Sequence, residues 1–340
     1  MDSPNTRQTQ EKRLTPSAIT DHLNQYVVGQ DEAKKTLSVA VYSHYRKLGK
    51  RRAGAVEVAK SNVLLIGPTG TGKTLLCETL SRIVHVPFVT ANATSLAQSK
   101  YVNDEIEALM QRLLDKADGD LARAQLGIVF IDEIDKLKSP EGEQRGTSGE
   151  RVQHALLKIM ESALVKLGAQ TIDTTNMLFI CAGAFVGLEN ITAKNQAFGF
   201  ISVGESDDQH ILDRLNTRVK PTDLFKFGLI PEFAGRLPVI ANLQQLSKEL
   251  LVKIMVEPRN SIYNQFREIF RDDGVELEIG HDVFRQIAEM AYEYKVGARS
   301  LRGIFEEMLT PVMYQLPDHP EIRKVLIKSL FEEPSLIAAP

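Results

Sequence analysis

An apolar run, Val63-Leu64-Leu65-Ile66, leads directly into Gly67-Pro68-Thr69-Gly70-Thr71-Gly72-Lys73-Thr74, and a helical pattern follows. The eight residues fit G-x-x-x-x-G-K-[ST]. Its glycines let the backbone turn tightly, so that successive N–H groups face phosphate oxygens, and the next helix adds the positive end of its dipole. A loop of this kind needs a strand before it and a helix after it, which places the chain among layered α/β folds. Further along, Ile128-Val129-Phe130-Ile131 reads as a second buried strand and ends in Asp132-Glu133. Lys73 is expected to reach the β- and γ-phosphates, with the Thr74 hydroxyl and Asp132 on magnesium. Glu133 is the candidate general base for the attacking water. A site that only held nucleotide would have no need of that second acid. ATP with Mg2+, and hydrolysis of that ATP, are therefore expected.

Strands and helices alternate through the middle of the chain. Strands are expected at 62–66, 87–91, 127–131 and 176–181. Helices are expected at about 73–84, 104–116 and 150–164. Alternation of this kind predicts a parallel sheet covered on both faces. Continuous apolar strands fit that burial. Before it, Thr15-Pro16-Ser17 reads as a helix start, and a second helix is expected from about Asp31 to Lys47. After Leu246 the pattern turns mainly helical, with helices at roughly 247–271, 282–295 and 298–315 around one short strand, Val275–Ile279. The expected organisation is a polar leader (1–13), a large ATP-binding domain (14–246), a smaller, mainly helical α+β domain (247–330) and a tail (331–340). The stretch 186–226 is polar, and it reads mainly as a long surface loop.

The 340 residues carry a net charge of −3 and are 43% hydrophobic. A near-neutral balance offers no electrostatic reason for a nucleic-acid partner. The basic run Arg46, Lys47, Lys50, Arg51, Arg52 reads as a solvated linker. Two cysteines, Cys77 and Cys181, cannot make a four-ligand zinc site by themselves. They read as buried, reduced thiols, which suits a cytoplasmic protein. No run approaches the length needed to cross a bilayer, so no membrane association is expected.

Phosphoryl transfer also needs positive charge near the γ-phosphate. Arg236 stands in a proline-bracketed segment, Gly228–Pro238, and Arg299 in Val296-Gly297-Ala298-Arg299-Ser300-Leu301. Spacing alone does not separate either from an ordinary surface arginine. With these segments, the chain from residue 14 to about 330 resembles the ClpX family of AAA+ unfoldases. The resemblance is carried by Tyr26-Val27-Val28-Gly29-Gln30-Asp31-Glu32-Ala33-Lys34-Lys35, Leu65–Gly70, Ile131-Asp132-Glu133-Ile134-Asp135-Lys136, Phe225–Phe233 and Gly297–Arg302. It implies an AAA+ P-loop fold and a homo-hexamer with ATP sites between subunits. Arg236 then matches the finger supplied to a neighbour's nucleotide, Arg299 the arginine that reaches the γ-phosphate from the small domain, and Val27 and Val28 the adenine pocket. No residue of Ala182-Gly183-Ala184 offers a polar side chain for the family's sensor 1.

The resemblance also implies a pore loop whose aromatic grips polypeptide. The family's Gly-Tyr-Val-Gly reads Lys100-Tyr101-Val102-Asn103 here. Tyr101 and Val102 remain, and the loop is expected to be stiffer without its glycines. The family's amino-terminal zinc-binding domain has no counterpart, so no zinc is expected. Its basic pore-entrance loop is replaced by Val165–Thr171. Phe198-Gly199-Phe200 occupies the place of the loop that docks on a ClpP-type peptidase. The expected activity is an ATP-dependent unfoldase and translocase that threads unfolded or tagged proteins, with or without a peptidase. The alternative is an ATP-gated remodelling or assembly chaperone that works without full threading.

Overall fold

The structure is a computed structural model. It describes residues 14–48, 60–138, 147–197, 219–294 and 297–338. Five strands form one parallel sheet: β1 (Val63–Ile66), β2 (Phe88–Asn92), β3 (Ile128–Asp132), β6 (Leu178–Gly183) and β7 (Val239–Asn242), in the order β2-β3-β6-β1-β7. Successive strand residues point to opposite faces, and each face buries its own set. Leu64, Ile66, Val129, Ile131, Phe179 and Cys181 pack on one side. Val63, Leu65, Ile128, Phe130, Leu178 and Ile180 pack on the other, against Ile19, Leu23, Leu37 and Val41 of the first two helices. The motif-bearing loops therefore leave the carboxyl ends of strands locked on both faces, where α/β sheets place their ligands.

The helices begin where short polar side chains can cap them. Thr15, Asn92, Thr147, Ser247 and Ser261 each accept a backbone N–H from the first turn of the helix they open. The expected helix over 247–271 is two helices, Lys248–Val256 and Ile262–Asp272. Pro258 lies between them, and Ser261 starts the second. The helix expected to reach Leu164 ends at Glu161. Beyond it, β4 (Leu164–Leu167) and β5 (Gln170–Asp173) form a hairpin closed by Gly168-Ala169, with Gly168 at φ +58°. The stretch 186–226, read mainly as a loop, contains the helices Leu188–Ala197 and Pro221–Phe227 within its described part.

From Leu246 onward a separate apolar cluster forms around Phe266, Phe270, Phe284 and Phe305. Phe266 and Phe305 stack at 5.9 Å between ring centroids. Three strands close this part, β8 (Glu276–Ile279), β9 (Ile322–Ile327) and β10 (Ser335–Ala338), in the order β10-β9-β8. Among the described residues no helix is long and apolar enough to cross a membrane.

Candidate ATP site and substrate loop

The phosphate loop follows β1. Gly70 and Gly72 adopt φ of +79° and +93°, a region that side chains with a Cβ strongly avoid. A Cβ on Gly67 would lie 2.7 Å from the Leu243 carbonyl oxygen, so the loop can pass β7 only as glycine. Lys73 is buried at the start of the helix Lys73–Ile83. Its Nζ donates to the carbonyl oxygens of Gly67 (2.6 Å) and Pro68 (3.0 Å). The ammonium thus spans the mouth of its own loop, held by acceptors that phosphate oxygens can replace. Burial pushes its pKa down, and Asp132 and Asp135 oppose that shift. The Thr71 hydroxyl donates to the Pro68 carbonyl (2.8 Å) and ties the loop together. Pro68 and Thr69 are exposed at its tip, and Thr74 is half-buried.

Asp132 and Glu133 stand at the end of β3, in the strand order two places from β1 with β6 between them. Asp132 Oδ1 accepts the Glu133 N–H at 2.8 Å. Glu133 has φ +60°, an uncommon conformation for a residue with a side chain, and it lies where the strand breaks into a short 3-10 turn. Its Oε2 accepts the Thr94 hydroxyl at 2.9 Å. Hydrogen bonds from Asn92 and Thr94 hold its carboxyl below the usual carboxylate range. Asn92 and Thr94 were not among the residues read as functional. Their only sequence signal is an Asn at the end of a strand and a Thr two residues on, which is also an ordinary helix cap.

The second part of the chain reaches this site through a glycine. Gly297, at φ +63°, would carry a Cβ 2.9 Å from the Thr69 oxygen and 3.0 Å from the Gly70 Cα. The Ala298 N–H donates to the Gly70 carbonyl (3.2 Å). Arg299 opens the helix Arg299–Gln315 beside the phosphate loop, and its positive charge acts on both Lys73 and Glu133. Val27 is buried and Val28 half-buried just before a turn at Gly29 and Gln30. The Gln30 amide pins that turn to Gln244 through two bonds of 2.8 Å.

Arg236 stands apart from these groups. It is exposed, and its guanidinium pairs with Glu161 of the same chain (Nε to Oε1, 2.8 Å). Tyr101 is 60% exposed at the start of the helix Val102–Lys116, and Lys100 Nζ lies 5.4 Å from its ring centroid. Val102 turns inward and packs against the sheet's core. The pair expected to act together is thus split into a displayed tyrosine and an anchoring valine. Phe198, Gly199 and Phe200 lie outside the described residues.

Residues 58–240 match the family described as AAA domain (Cdc48 subfamily). Residues 246–326 match the C-terminal, D2-small domain, of ClpB protein. The chain is 45% identical over 342 residues to "ATP-dependent Clp protease ATP-binding subunit ClpX 3" of Methylococcus capsulatus, a match covering 92% of this chain and 79% of that protein. It is 44% identical over 346 residues to the ClpX subunits of Borrelia duttonii and Borrelia recurrentis, covering 96% of this chain and 80% of each. A glycine-cradled lysine, a paired strand-end acid and an arginine delivered by a second core are the parts of an AAA ATPase, and with these matches the chain belongs to the ClpX family.

Proposed function

We propose that this chain is an ATP-dependent protein unfoldase subunit that hydrolyses ATP between copies of itself in a ring hexamer and pulls polypeptide with Tyr101. The observation that carries this reading is a continuous path. The helix Ala93–Gln98 has Thr94, bonded to Glu133, in its first turn and leads at its other end to the exposed Tyr101. A force on the tyrosine loop and a change at the catalytic carboxylate are therefore only one short helix apart.

Residues 14–246 act as the ATP-binding unit and 247–330 as its lid. Gly67, Pro68, Thr69, Gly70, Thr71 and Gly72 cradle the phosphates by backbone N–H groups, Lys73 reaches the terminal phosphates, and Val27 and Val28 flank the base. Thr74 and Asp132 are the donors that would hold Mg2+, an oxygen pair suited to that hard cation. When bound, the ion neutralises phosphate charge. Glu133 accepts the proton of the attacking water. Arg299 stabilises charge on the transferring phosphoryl group from the lid of the same chain. Arg236, exposed and remote from its own site, serves the neighbour, and Glu161 holds it in place until the subunits meet.

The substrate is a protein chain in the axial channel, and ClpP-type peptidase docking falls to Phe198-Gly199-Phe200. The alternative reading, remodelling of partners without full threading, is favoured by the closed β4–β5 hairpin, which leaves two turn residues where a longer entrance loop would project. Incubation with ATP and a tagged, folded fluorescent protein tests the proposal. The expected result is loss of fluorescence that needs ATP and is abolished by Lys73→Ala. ATP-dependent release of bound partners with every model substrate left folded would replace threading with the alternative.

A further inference from the structure

A concave cleft of about 840 Å3 opens in the C-terminal part of the chain, away from the phosphate loop, with Arg259, Arg267, Arg271 and Arg323 along its walls. Of its two acidic lining residues, Glu268 pairs with Arg271, and Glu276 shares Lys324 with Glu278, which holds that lysine more closely. The other three arginines make no ion pair among the described residues. Arg267 lies over the Tyr263 ring at 5.5 Å. Arg323 donates to the carbonyl oxygens of Pro320 (2.6 Å) and Ile322 (3.1 Å), and Glu321, whose charge it feels, is bonded to His319. Arg259 donates from Nη1 to the Gln25 amide oxygen (3.4 Å), and its backbone N–H bonds the Gln25 carbonyl (3.0 Å).

We infer that this cleft is a second anion site, for a small molecule carrying several phosphate groups. Three guanidinium groups without carboxylate partners line one hollow and give it a positive charge that favours an anion. Each presents a planar fork of N–H donors matched to phosphate oxygens. The volume is that of a small-molecule site rather than a groove for a long chain. Because Arg259 also bonds Gln25 at the end of the first helix, the occupied cleft touches the junction between the two cores.

The test is calorimetric titration of inositol hexakisphosphate into full-length protein whose phosphate loop is saturated with Mg2+ and a slowly hydrolysed ATP analogue. Saturable binding is expected, weakening as salt rises. It should fall about tenfold or more in Arg267→Ala and again in Arg323→Ala, as for lost charge-assisted bonds. Arg267→Lys should not restore it, since the fork is gone. Arg285→Ala, a surface control outside the cleft, should bind as wild type, and all four variants should keep basal ATP hydrolysis. No binding, or binding unchanged by Arg267→Ala and Arg323→Ala, overturns the assignment. So does an eight-residue polyglutamate peptide that binds when the phosphate probe does not.

Discussion

The Thr94 hydroxyl donates to Glu133 Oε2 at 2.9 Å, and so a residue in the first turn of the helix that leads to Tyr101 also holds the carboxylate proposed as the general base. A carboxylate that accepts two such bonds is a weaker base, and it stays ionised to lower pH. In Thr94→Val the Glu133 pKa moves back up toward the ordinary glutamate value. The acidic limb of the kcat–pH profile should then shift to higher pH, while the alkaline limb stays in place. Basal turnover near neutrality should rise, and its response to substrate should shrink, because the carboxylate is no longer tied to the loop. ATPase assays across pH, with and without an unfoldable substrate, measure both effects. An unshifted acidic limb would show that Thr94 is only a helix-start residue.

Glu133→Gln keeps the shape of the site and removes the base. Hydrolysis should fall by about 10²–10⁴-fold, the usual range for a general base. Binding of a fluorescent ATP analogue should remain within a few fold, because Lys73 and the loop backbone are untouched. Loss of binding and turnover together would move Glu133 from the chemistry to the architecture.

Arg236 and Glu161 are both substantially exposed, so their ion pair contributes at most about 1 kcal/mol to folding. Arg236→Ala should leave thermal stability nearly unchanged and reduce ATPase by about 10³-fold or more, as for loss of an arginine finger. Mixing it with Lys73→Ala protein should recover part of the activity, since each mixed ring then contains some intact junctions. No recovery in mixed rings would place Arg236 in its own subunit's site.

His44 is buried, its pKa lowered to about 4 by that burial. A neutral ring bonded to the Asn176 carbonyl at 2.9 Å must carry its proton on Nε2. Between pH 6.5 and about 4 the unfolded chain binds a proton there that the folded chain refuses, so stability falls as pH falls through this window. His44→Gln should flatten that part of the melting-temperature profile. An unchanged slope would assign the acid sensitivity to other groups.

Four strands of the parallel sheet, most of the helices around them and the phosphate-loop motif were readable from residues because each has a strong local signal, whereas the second part holds three strands where one was expected. Apolar strand runs are buried on both faces here, and a G-x-x-x-x-G-K-T loop has few other uses. The β4–β5 hairpin was not readable. Leu164-Val165-Lys166-Leu167 is too short to alternate clearly, and the preceding helical period runs on into it. β7 escaped for a similar reason. Its four residues follow Pro238, and they become a strand only by pairing with β1. The break at Pro258 was visible in the chain but was outweighed by helical periodicity on both sides. At the site, the contact of Gly297 with the phosphate loop joins residues more than 200 positions apart. No local pattern could place Arg299 there, and only the resemblance pointed to it. Asn92 and Thr94 were hidden because a helix cap and a carboxylate clamp use the same side chains.

Tyr101→Ala is the most direct test of whether ATP hydrolysis is spent on moving polypeptide. Tyr101 is exposed and outside the nucleotide site, so ATPase activity should stay within about twofold, the scale of a surface change that touches no catalytic group. Unfolding of a tagged fluorescent protein should fall at least tenfold under the same conditions. Unfolding at the wild-type rate by Tyr101→Ala protein would contradict the account.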